Sequence, residues 1–329
     1  MKTMSAAVDT MTTKLASDNL SRQFSGAHEV QECFQGQGEA DLHTHLRNCT
    51  KNPDHLQFIP VNELTIDNFP TGCHDNDLYN FTKAQADLTV RIAVKFTSPD
   101  RPEFVPGTKD PYPCYNTRGQ NSLRTGTGKV ERFVKCTGTC PCPECEVFLT
   151  PSQVWWKIGV LTARHVLFDE SEVRQSSCRL WFDEENCPVV KIYGLQAGAL
   201  SDLEEDWCRF NCVTDDAETA NKLGEMIERF NLLGEMLKDT YKNRSNVDKL
   251  TIIVSHPHGC SKQVSVGHWV HRREPGGHDT CYTYTTCTCP GSSGALVYRL
   301  GCDISSSHLH CGANAGGSSY SGVEWEFGL

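Results

Sequence analysis

Residues that could catalyse a reaction stand between Cys289 and Tyr298, in the stretch C-P-G-S-S-G-A-L-V-Y, where a Gly/Ser-rich turn runs into an apolar strand. Glycines at 291 and 294 permit backbone angles that a side chain would exclude, and they let the backbone approach a bound group closely. A serine in such a turn exposes its hydroxyl beside backbone N–H groups, which suits a nucleophile next to an oxyanion site. The same pattern is also typical of an ordinary turn at the start of a strand.

Two further side chains could assist that serine. His165 follows a dense apolar run, W-W-K-I-G-V-L-T-A, which indicates a buried strand that ends just before the histidine. Asp206 stands at the start of an alternating strand, in an acidic cluster that also holds Asp202 and Glu205. Taken singly, a histidine at the end of a strand and an acidic loop are both common structural features.

The motifs together resemble the chymotrypsin-like (trypsin-fold) serine proteases. L-T-A-R-H at 161–165 is similar to the histidine motif of that family, and G-S-S-G-A at 291–295 is similar to its serine motif. The order His, Asp, Ser is the family's order, and G-T-G-K-V at 126–130 and H-P-H-G-C-S-K-Q-V-S-V-G at 256–267 match strands of its bacterial and organellar members. The resemblance extends from about Leu88 to the end of the chain.

The resemblance implies a role for each matched residue. Ser293 would be the nucleophile, His165 the general base, and Asp206 the carboxylate that orients the imidazole. The backbone N–H groups of Gly291 and Ser293 would form the oxyanion hole. We therefore expect the Ser293 hydroxyl within hydrogen-bond reach of His165, and His165 within reach of Asp206. If Asp202 or Glu205 lies beside His165 instead, the assignment changes but the class of enzyme does not.

A further match concerns substrate preference. L-H-C-G-A at 309–313 resembles a strand of glutamyl endopeptidases and viral chymotrypsin-like proteases whose histidine contacts a Glu or Gln side chain in the S1 pocket. His310 would bind the residue before the cleaved bond (P1), with His308 as the rival position. A strand histidine without a ligand is the alternative, because histidine has many structural uses.

Two departures from the family pattern bear on the expectations. Ser292 stands where trypsin has an aspartate before the nucleophile, so the carboxylate that locks this turn in trypsin is missing. Val166 stands where many secreted members have a disulfide-bonded cysteine. Together the departures indicate an intracellular branch that does not depend on disulfides, nearer to the viral and bacterial members than to trypsin.

A cluster of cysteines raises the question of a metal site. The stretch C-T-G-T-C-P-C-P-E-C places thiols at Cys136, Cys140, Cys142 and Cys145. Four close cysteines are typical of structural zinc sites, although the C-x-C pair is awkward for one ion and a second C-x₂-C pair is missing. The alternative is a turn rich in reduced thiols. We expect no cofactor for catalysis itself, with a structural zinc ion as an open question.

The elements that must position these residues are mainly strands. Short β-branched runs recur from Leu88 onwards, and they predict a β-barrel or a sandwich. With the resemblance, the expected fold is mainly β, with two six-stranded antiparallel β-barrels, one inserted amphipathic helix at about 215–241 and an N-terminal extension. We expect residues 1–55 to be a largely disordered extension, 56–87 a short helical lead-in, and 88–329 the protease domain.

Composition limits the other classes of function. The chain has 329 residues, 38% hydrophobic and 22% charged, with a net charge of −10 and a pI near 5.7, so we expect no nucleic-acid partner. No run is long enough for a membrane span, and the N-terminus lacks the apolar region of a signal peptide. We therefore expect a cytoplasmic location and reduced states for the 18 cysteines. The main alternative to an active peptidase is a catalytically inactive interaction module on the same fold.

Overall fold

The computed structural model describes residues 26–33, 39–147, 151–276, 279–305, 308–314 and 316–325. The strands in these ranges are β1 Gly26–His28, β2 Gln31–Cys33, β3 Ile59–Pro60, β4 Thr89–Val94, β5 Leu123–Thr137, β6 Val154–Ala163, β7 Ser176–Leu180, β8 Val190–Asp202, β9 Trp207–Thr214, β10 Leu250–Ser255, β11 Gln263–Gly276, β12 Asp279–Tyr284, β13 Val297–Arg299, β14 His310–Asn314, β15 Ser319–Ser321 and β16 Glu324–Trp325. The α-helices are α1 Leu42–Arg47, α2 Asn76–Leu88, α3 Pro143–Val147, α4 Glu170–Arg174, α5 Ala217–Tyr241 and α6 Ser245–Asp248.

Six antiparallel strands close into a first barrel. Their order is β5-β4-β7-β8-β9-β6, and β6 pairs back onto β5 from Lys129 opposite Leu161 to Thr137 opposite Val154. The strand β4 is T-V-R-I-A-V, a run of mostly β-branched residues, and all six of its residues are buried. Closure removes the exposed edges that an open sheet would present.

A second set of six strands forms the other barrel. Its order is β13-β10-β11-β12-β15-β14, and a bridge between Leu296 and Leu309 joins its two ends. Backbone hydrogen bonds from Val297 to His308 and from His310 to Ala295 continue that junction. The predicted mainly β fold with two six-stranded antiparallel barrels is therefore confirmed.

The long helix α5 packs on the body of the molecule. Phe230 of α5 stacks on Phe81 of α2 with ring centroids 5.0 Å apart, and Phe81 also contacts Tyr298 of the second barrel at 4.2 Å. The Tyr241 hydroxyl donates a hydrogen bond to Asp75 at 2.7 Å, at the N-terminus of α2. The apolar stripe of the helix thus belongs to the core. In the described ranges no helix is both long and apolar enough to cross a membrane.

The prediction of a largely disordered extension over 1–55 does not fit the described part of that stretch, which forms strands and a short helix. Residues 1–25 and 34–38 lie outside the described residues. Within the remainder, β1 pairs with β14 of the second barrel and β2 pairs with β5 of the first. This segment is polar and aperiodic in sequence, and its strands form because β14 and the end of β5 that β6 does not cover supply the hydrogen-bond partners. Residues 26–33 will be called the N-terminal segment.

Candidate active site

The site lies between the two barrels and begins with His165 and Asp206. His165 stands in the turn after β6, and its Nδ1 atom lies 2.6 Å from Oδ2 of Asp206, just before β9. The backbone N–H of His165 also donates to the other Asp206 oxygen at 3.0 Å. Burial would raise the pKa of Asp206, but the adjacent His165 and its hydrogen bond outweigh burial and lower that pKa to about 2. The carboxylate is therefore ionised at neutral pH.

The neighbouring acidic residues do not take this position. The carboxylate of Asp202 accepts hydrogen bonds from the backbone N–H groups of residues 204 and 205, and that of Glu205 accepts one from the Trp207 indole. Asp206 has a φ of +59°, an uncommon conformation for a residue other than glycine. Of the three acidic residues considered from the sequence, the structure brings Asp206 to His165.

A buried ion network holds the turn that carries His165. Arg101 donates to the carbonyl oxygen of His165 at 3.0 Å and forms a two-point contact with Glu172 at 2.7 and 2.8 Å. Arg124 forms an ion pair with the same carboxylate and donates to the carbonyl oxygen of Val166 at 3.1 Å. Both arginines and Glu172 are fully buried. Sequence reasoning missed this network because its members lie far apart in the chain.

The turn that carries Ser293 is locked by backbone geometry. Gly291 and Gly294 have φ values of +97° and +85°. A Cβ atom on Gly294 would lie 2.2 Å from the carbonyl oxygen of Thr127, so both conformation and space require glycine there. The N–H of Thr127 in β5 donates to the Ser293 carbonyl at 2.8 Å, which ties the turn to the first barrel.

Ser292 supplies the anchor that the missing aspartate would provide in trypsin. Its hydroxyl accepts from the N–H of Cys289 at 3.2 Å and pairs with the Ser255 hydroxyl at 3.1 Å. The Ser292 side chain is fully buried. The turn is therefore formed with neutral hydroxyl hydrogen bonds in place of a buried carboxylate.

The expected contact between Ser293 and His165 is not formed. The Ser293 hydroxyl donates to the carbonyl oxygen of Cys311 at 3.0 Å. The Nε2 atom of His165 is buried and has no hydrogen-bond partner among the described residues. The structure brings all three predicted residues into one cleft, but the serine hydroxyl is turned towards β14.

The predicted oxyanion donors point at a carbonyl group of the chain itself. The N–H of Gly291 lies 2.6 Å from the carbonyl oxygen of Glu29, and the N–H of Ser293 lies 3.3 Å from the same atom. Glu29 belongs to the N-terminal segment, directly after β1. Two backbone donors that converge on one carbonyl oxygen are the arrangement that stabilises a developing oxyanion.

His310 faces the same residue. Its Nε2 atom lies 2.7 Å from the Glu29 carboxylate, and its Nδ1 atom lies 2.7 Å from the hydroxyl of Tyr284. Lys51 forms an ion pair with the same carboxylate. Burial would raise the pKa of Glu29, but the His310 hydrogen bond and the Lys51 charge outweigh it and lower that pKa to about 2. The rival, His308, instead lies 3.1 Å from the Thr280 hydroxyl.

Sequence reasoning missed three residues of this cleft: His28, Glu29 and Lys51. The His28 ring lies edge-on to His165 with centroids 4.5 Å apart. Burial and the nearby His165 lower the pKa of His28 to about 4, so it adds no second positive charge at neutral pH. A groove of about 340 Å³ runs beside the segment, lined by Ala27, His28 and Asp110 among others. The only sequence signal for Glu29 was the expected glutamate preference at His310.

Two six-stranded antiparallel barrels, with His165 and Asp206 on the first and Ser293 on the second, give the chain the expected chymotrypsin-like fold. No family model matches the sequence, and the comparison with curated proteins found no match.

Solved structures resemble the chain at low identity. The HtrA-type protease AlgW, solved with a tripeptide, is 12% identical with a TM-score of 0.36, and the match covers 74% of this chain and 58% of that one. The active form of the Rv3671c protease from M. tuberculosis is 13% identical with a TM-score of 0.37, covering 75% and 82%. Deg5 is 11% identical with a TM-score of 0.39, covering 74% and 87%.

The predicted cysteine cluster is brought together only in part. Cys140, Cys142 and Cys145 are buried with their sulfur atoms within 4.8 Å of one another. Cys136 does not join them, because its thiol lies on β5 against the carbonyl oxygen of Val134 at 3.7 Å. The structure therefore brings three of the four predicted cysteines together, since β5 carries residue 136 away from the turn. All 18 cysteines are free thiols in the structure.

Proposed function

We propose that the chain is a serine endopeptidase. Ser293 attacks the peptide carbonyl, His165 takes the hydroxyl proton and later delivers it to the leaving amine, and Asp206 holds the imidazole in the required tautomer. The N–H groups of Gly291 and Ser293 stabilise the negative charge on the carbonyl oxygen. One observation carries this proposal: a peptide carbonyl of the chain already occupies the two donors, in the cleft that also holds His165, Asp206 and Ser293.

The same cleft supports a preference for glutamate or glutamine at P1. Tyr284 contacts Nδ1 of His310, and Nε2 lies against the Glu29 carboxylate, where a P1 side chain would bind. A buried histidine can donate to either a carboxylate or a carboxamide. Lys51 adds a positive charge on the carboxylate side, and this favours glutamate. Protein and peptide substrates with Glu at P1 are therefore expected.

A fluorophosphonate probe tests the proposal, because it modifies an activated serine. The N-terminal segment fills the cleft, so the probe is applied both to the wild-type chain and to Glu29→Lys, which places a cation against Lys51. We expect labelling on the peptide that contains Ser293. We expect this labelling to be lost in His165→Ala. Profiling the same proteins on a peptide library then reads out the P1 preference.

One observation favours a second candidate, a non-catalytic module on the same fold. The Ser293 hydroxyl bonds to the Cys311 carbonyl and not to His165. If that orientation is fixed, the serine is not activated, and folded chain remains unlabelled in both forms. The labelling experiment therefore decides between the two candidates.

A structural zinc ion at Cys140, Cys142 and Cys145 remains part of this proposal. The Cys145 thiol lies 3.2 Å from a carboxylate oxygen of Asp215, which could complete the set of four ligands. Three thiolates and one carboxylate are within the ligand chemistry of zinc. The ion would hold the turn after β5 against the start of α5. The proposed catalytic steps do not require this contact.

A further inference from the structure

The N-terminal segment runs through the cleft in the manner of a substrate. Its β1 pairs antiparallel with β14, with Gly26 opposite Asn314 and His28 opposite Gly312. The N–H of Glu29 donates to the carbonyl oxygen of Cys311 at 3.0 Å, which extends the ladder to the oxyanion donors. An extended peptide that adds a strand to a sheet edge is bound through its main chain and selected through its side chains.

The chain changes barrels at the bond after Glu29. Val30 is buried in the main core, and Gln31 starts β2, which pairs with β5 of the first barrel from Gln31 opposite Thr125 to Cys33 opposite Leu123. The Gln31 side chain accepts a hydrogen bond from His258 at 2.9 Å. The backbone is thus held on both sides of a single peptide bond, beside Ser293.

We propose that Glu29–Val30 is the chain's own cleavage site and is cut by Ser293 of the same molecule. This proposal rests on the proposed function. Three features coincide at this bond: its carbonyl oxygen lies in the oxyanion donors, its P1 side chain contacts His310 and Lys51, and its P2 side chain, His28, packs on His165. Attack requires the Ser293 hydroxyl to turn from the Cys311 carbonyl to the Glu29 carbonyl carbon.

The reaction balances with water as the second reactant. The Ser293 side chain rotates away from the Cys311 carbonyl, and its oxygen bonds to the Glu29 carbonyl carbon while its proton passes to His165. The C–N bond to Val30 breaks, and His165 passes the proton to the new α-amine of Val30. Water then attacks the ester between Ser293 and Glu29. This step releases the new α-carboxylate of Glu29 and restores the Ser293 hydroxyl. The products are residues 1–29 and 30–329.

Intact mass and N-terminal sequencing of the purified full chain test this site. The expected result is a new N-terminus at Val30, absent in Ser293→Ala, with a first-order rate that does not depend on protein concentration. Glu29→Gln should still be cut, whereas Glu29→Lys should be cut at least about 100-fold more slowly because the buried partners of the carboxylate are left unmatched. Glu32→Lys is the matched control, since His310 contacts Glu29 and not Glu32.

A synthetic peptide with the sequence of residues 24–35 separates this inference from the proposed function. If Ser293 is labelled by the probe and cuts glutamate peptides in trans, but the chain stays intact at Glu29–Val30, the inference is overturned and the peptidase survives. If folded protein shows neither labelling nor cleavage, the proposed function fails as well. Cutting of the Glu29→Lys chain at the wild-type rate would also overturn the assignment of the bond.

A second set of side chains points independently to a metal. Cys49, His55, His258 and Cys289 offer ligand atoms that all lie within 4.8 Å of one another. The two sulfur atoms are 3.6 Å apart, and Cys289 Sγ lies 3.5 Å from Nε2 of His55. Zinc bonds of about 2.3 Å to sulfur and about 2.0 Å to nitrogen give ligand separations of this size in a tetrahedron.

The surroundings of these atoms also suit a cation. Nε2 of His258 is buried and has no partner in the described part of the chain, while its Nδ1 is fixed by Gln31. Asn52 directs its backbone N–H at Cys49 Sγ and its side-chain amide at Cys289 Sγ, at 3.4 and 3.1 Å. Fixed ring orientation and N–H donors to sulfur are the outer contacts that thiolate and imidazole ligands receive in metal sites.

The geometry points to a structural zinc site formed by Cys49, His55, His258 and Cys289. Two ligands come from the chain before α2, His258 comes from the turn after β10, and Cys289 lies two residues before Gly291 of the oxyanion hole. The ion would clamp the N-terminal region to the turn that carries Ser293. Binding free energy at such a site stabilises the folded chain directly.

Zinc content of the full chain tests this clamp, with Cys142→Ser used to remove the other cysteine cluster. The Cys142→Ser chain should retain one zinc per molecule, and its cobalt-substituted form should show the absorption of a tetrahedral site with two thiolates. Adding Cys49→Ser should remove that ion, whereas adding Cys136→Ser should not. A folded Cys142→Ser chain that holds no metal, or one that keeps its zinc after Cys49→Ser, would overturn the site.

Discussion

Two single residues position the groups that the proposed reaction uses: Asp206 orients His165, and Ser292 holds the turn that carries Ser293. The motif order pointed to Asp206, and the structure brings this carboxylate to His165 at 2.6 Å. The orientation of the Ser293 hydroxyl could not be predicted, because it depends on the Cys311 carbonyl from a distant strand. Ser292 lacks the carboxylate that trypsin has at this position. Its hydroxyl nevertheless forms hydrogen bonds with Cys289 and Ser255, and these bonds hold the turn.

Replacing Asp206 by Asn should lower kcat for a glutamate peptide by about 10⁴-fold. Asn can still accept from the backbone N–H of His165, but it presents the imidazole with a neutral partner and favours the wrong tautomer. Steady-state kinetics on a P1-glutamate peptide give the measurement. Asp202→Asn is the matched control, because its carboxylate contacts backbone N–H groups of its own turn and not His165. Equal losses in the two variants would contradict the assignment.

At the scale of elements, strands and helices were predictable where periodicity is strong. The stripe of α5 and the β-branched run of β4 follow from local sequence, and both appear as expected in kind and place. The N-terminal segment was not predictable, because β1 and β2 contain no apolar alternation of their own. Their hydrogen-bond partners are β14 and β5, about 280 and 90 residues further along the chain, which no local pattern encodes.

The turn that presents His165 depends on the buried carboxylate of Glu172. Replacing Glu172 by Gln removes the charge that Arg101 and Arg124 share, and it leaves two buried cations without compensation. We expect a loss of about 3–5 kcal/mol in the free energy of unfolding, measured by chemical denaturation.

Asp239→Asn provides the comparison for Glu172→Gln. Asp239 pairs with Lys242 on the surface of α5, where both side chains are more than half exposed. Solvent screens such a pair, so the expected loss is below about 1 kcal/mol. A Glu172→Gln chain as stable as Asp239→Asn would contradict the role given to the buried network.

The whole molecule is organised around one cleft that its own N-terminal segment fills. That segment adds β1 to the second barrel and β2 to the first, so the two barrels are joined across the candidate active site by one stretch of backbone. The proposed zinc clamp at Cys49, His55, His258 and Cys289 lies next to this stretch. The fold class could be predicted from motif order, but the occupied cleft could not, since it arises only when both barrels are assembled.

The most direct test of Ser293 as an activated nucleophile is fluorophosphonate labelling of folded chain, read by mass spectrometry of the modified peptide. We expect one label, on Ser293, in the Glu29→Lys chain and in wild-type chain whose N-terminal segment has left the cleft. The label should be lost in His165→Ala. Folded Glu29→Lys chain that stays unlabelled, or that carries its label on another serine, would contradict the claim that Ser293 is an activated nucleophile.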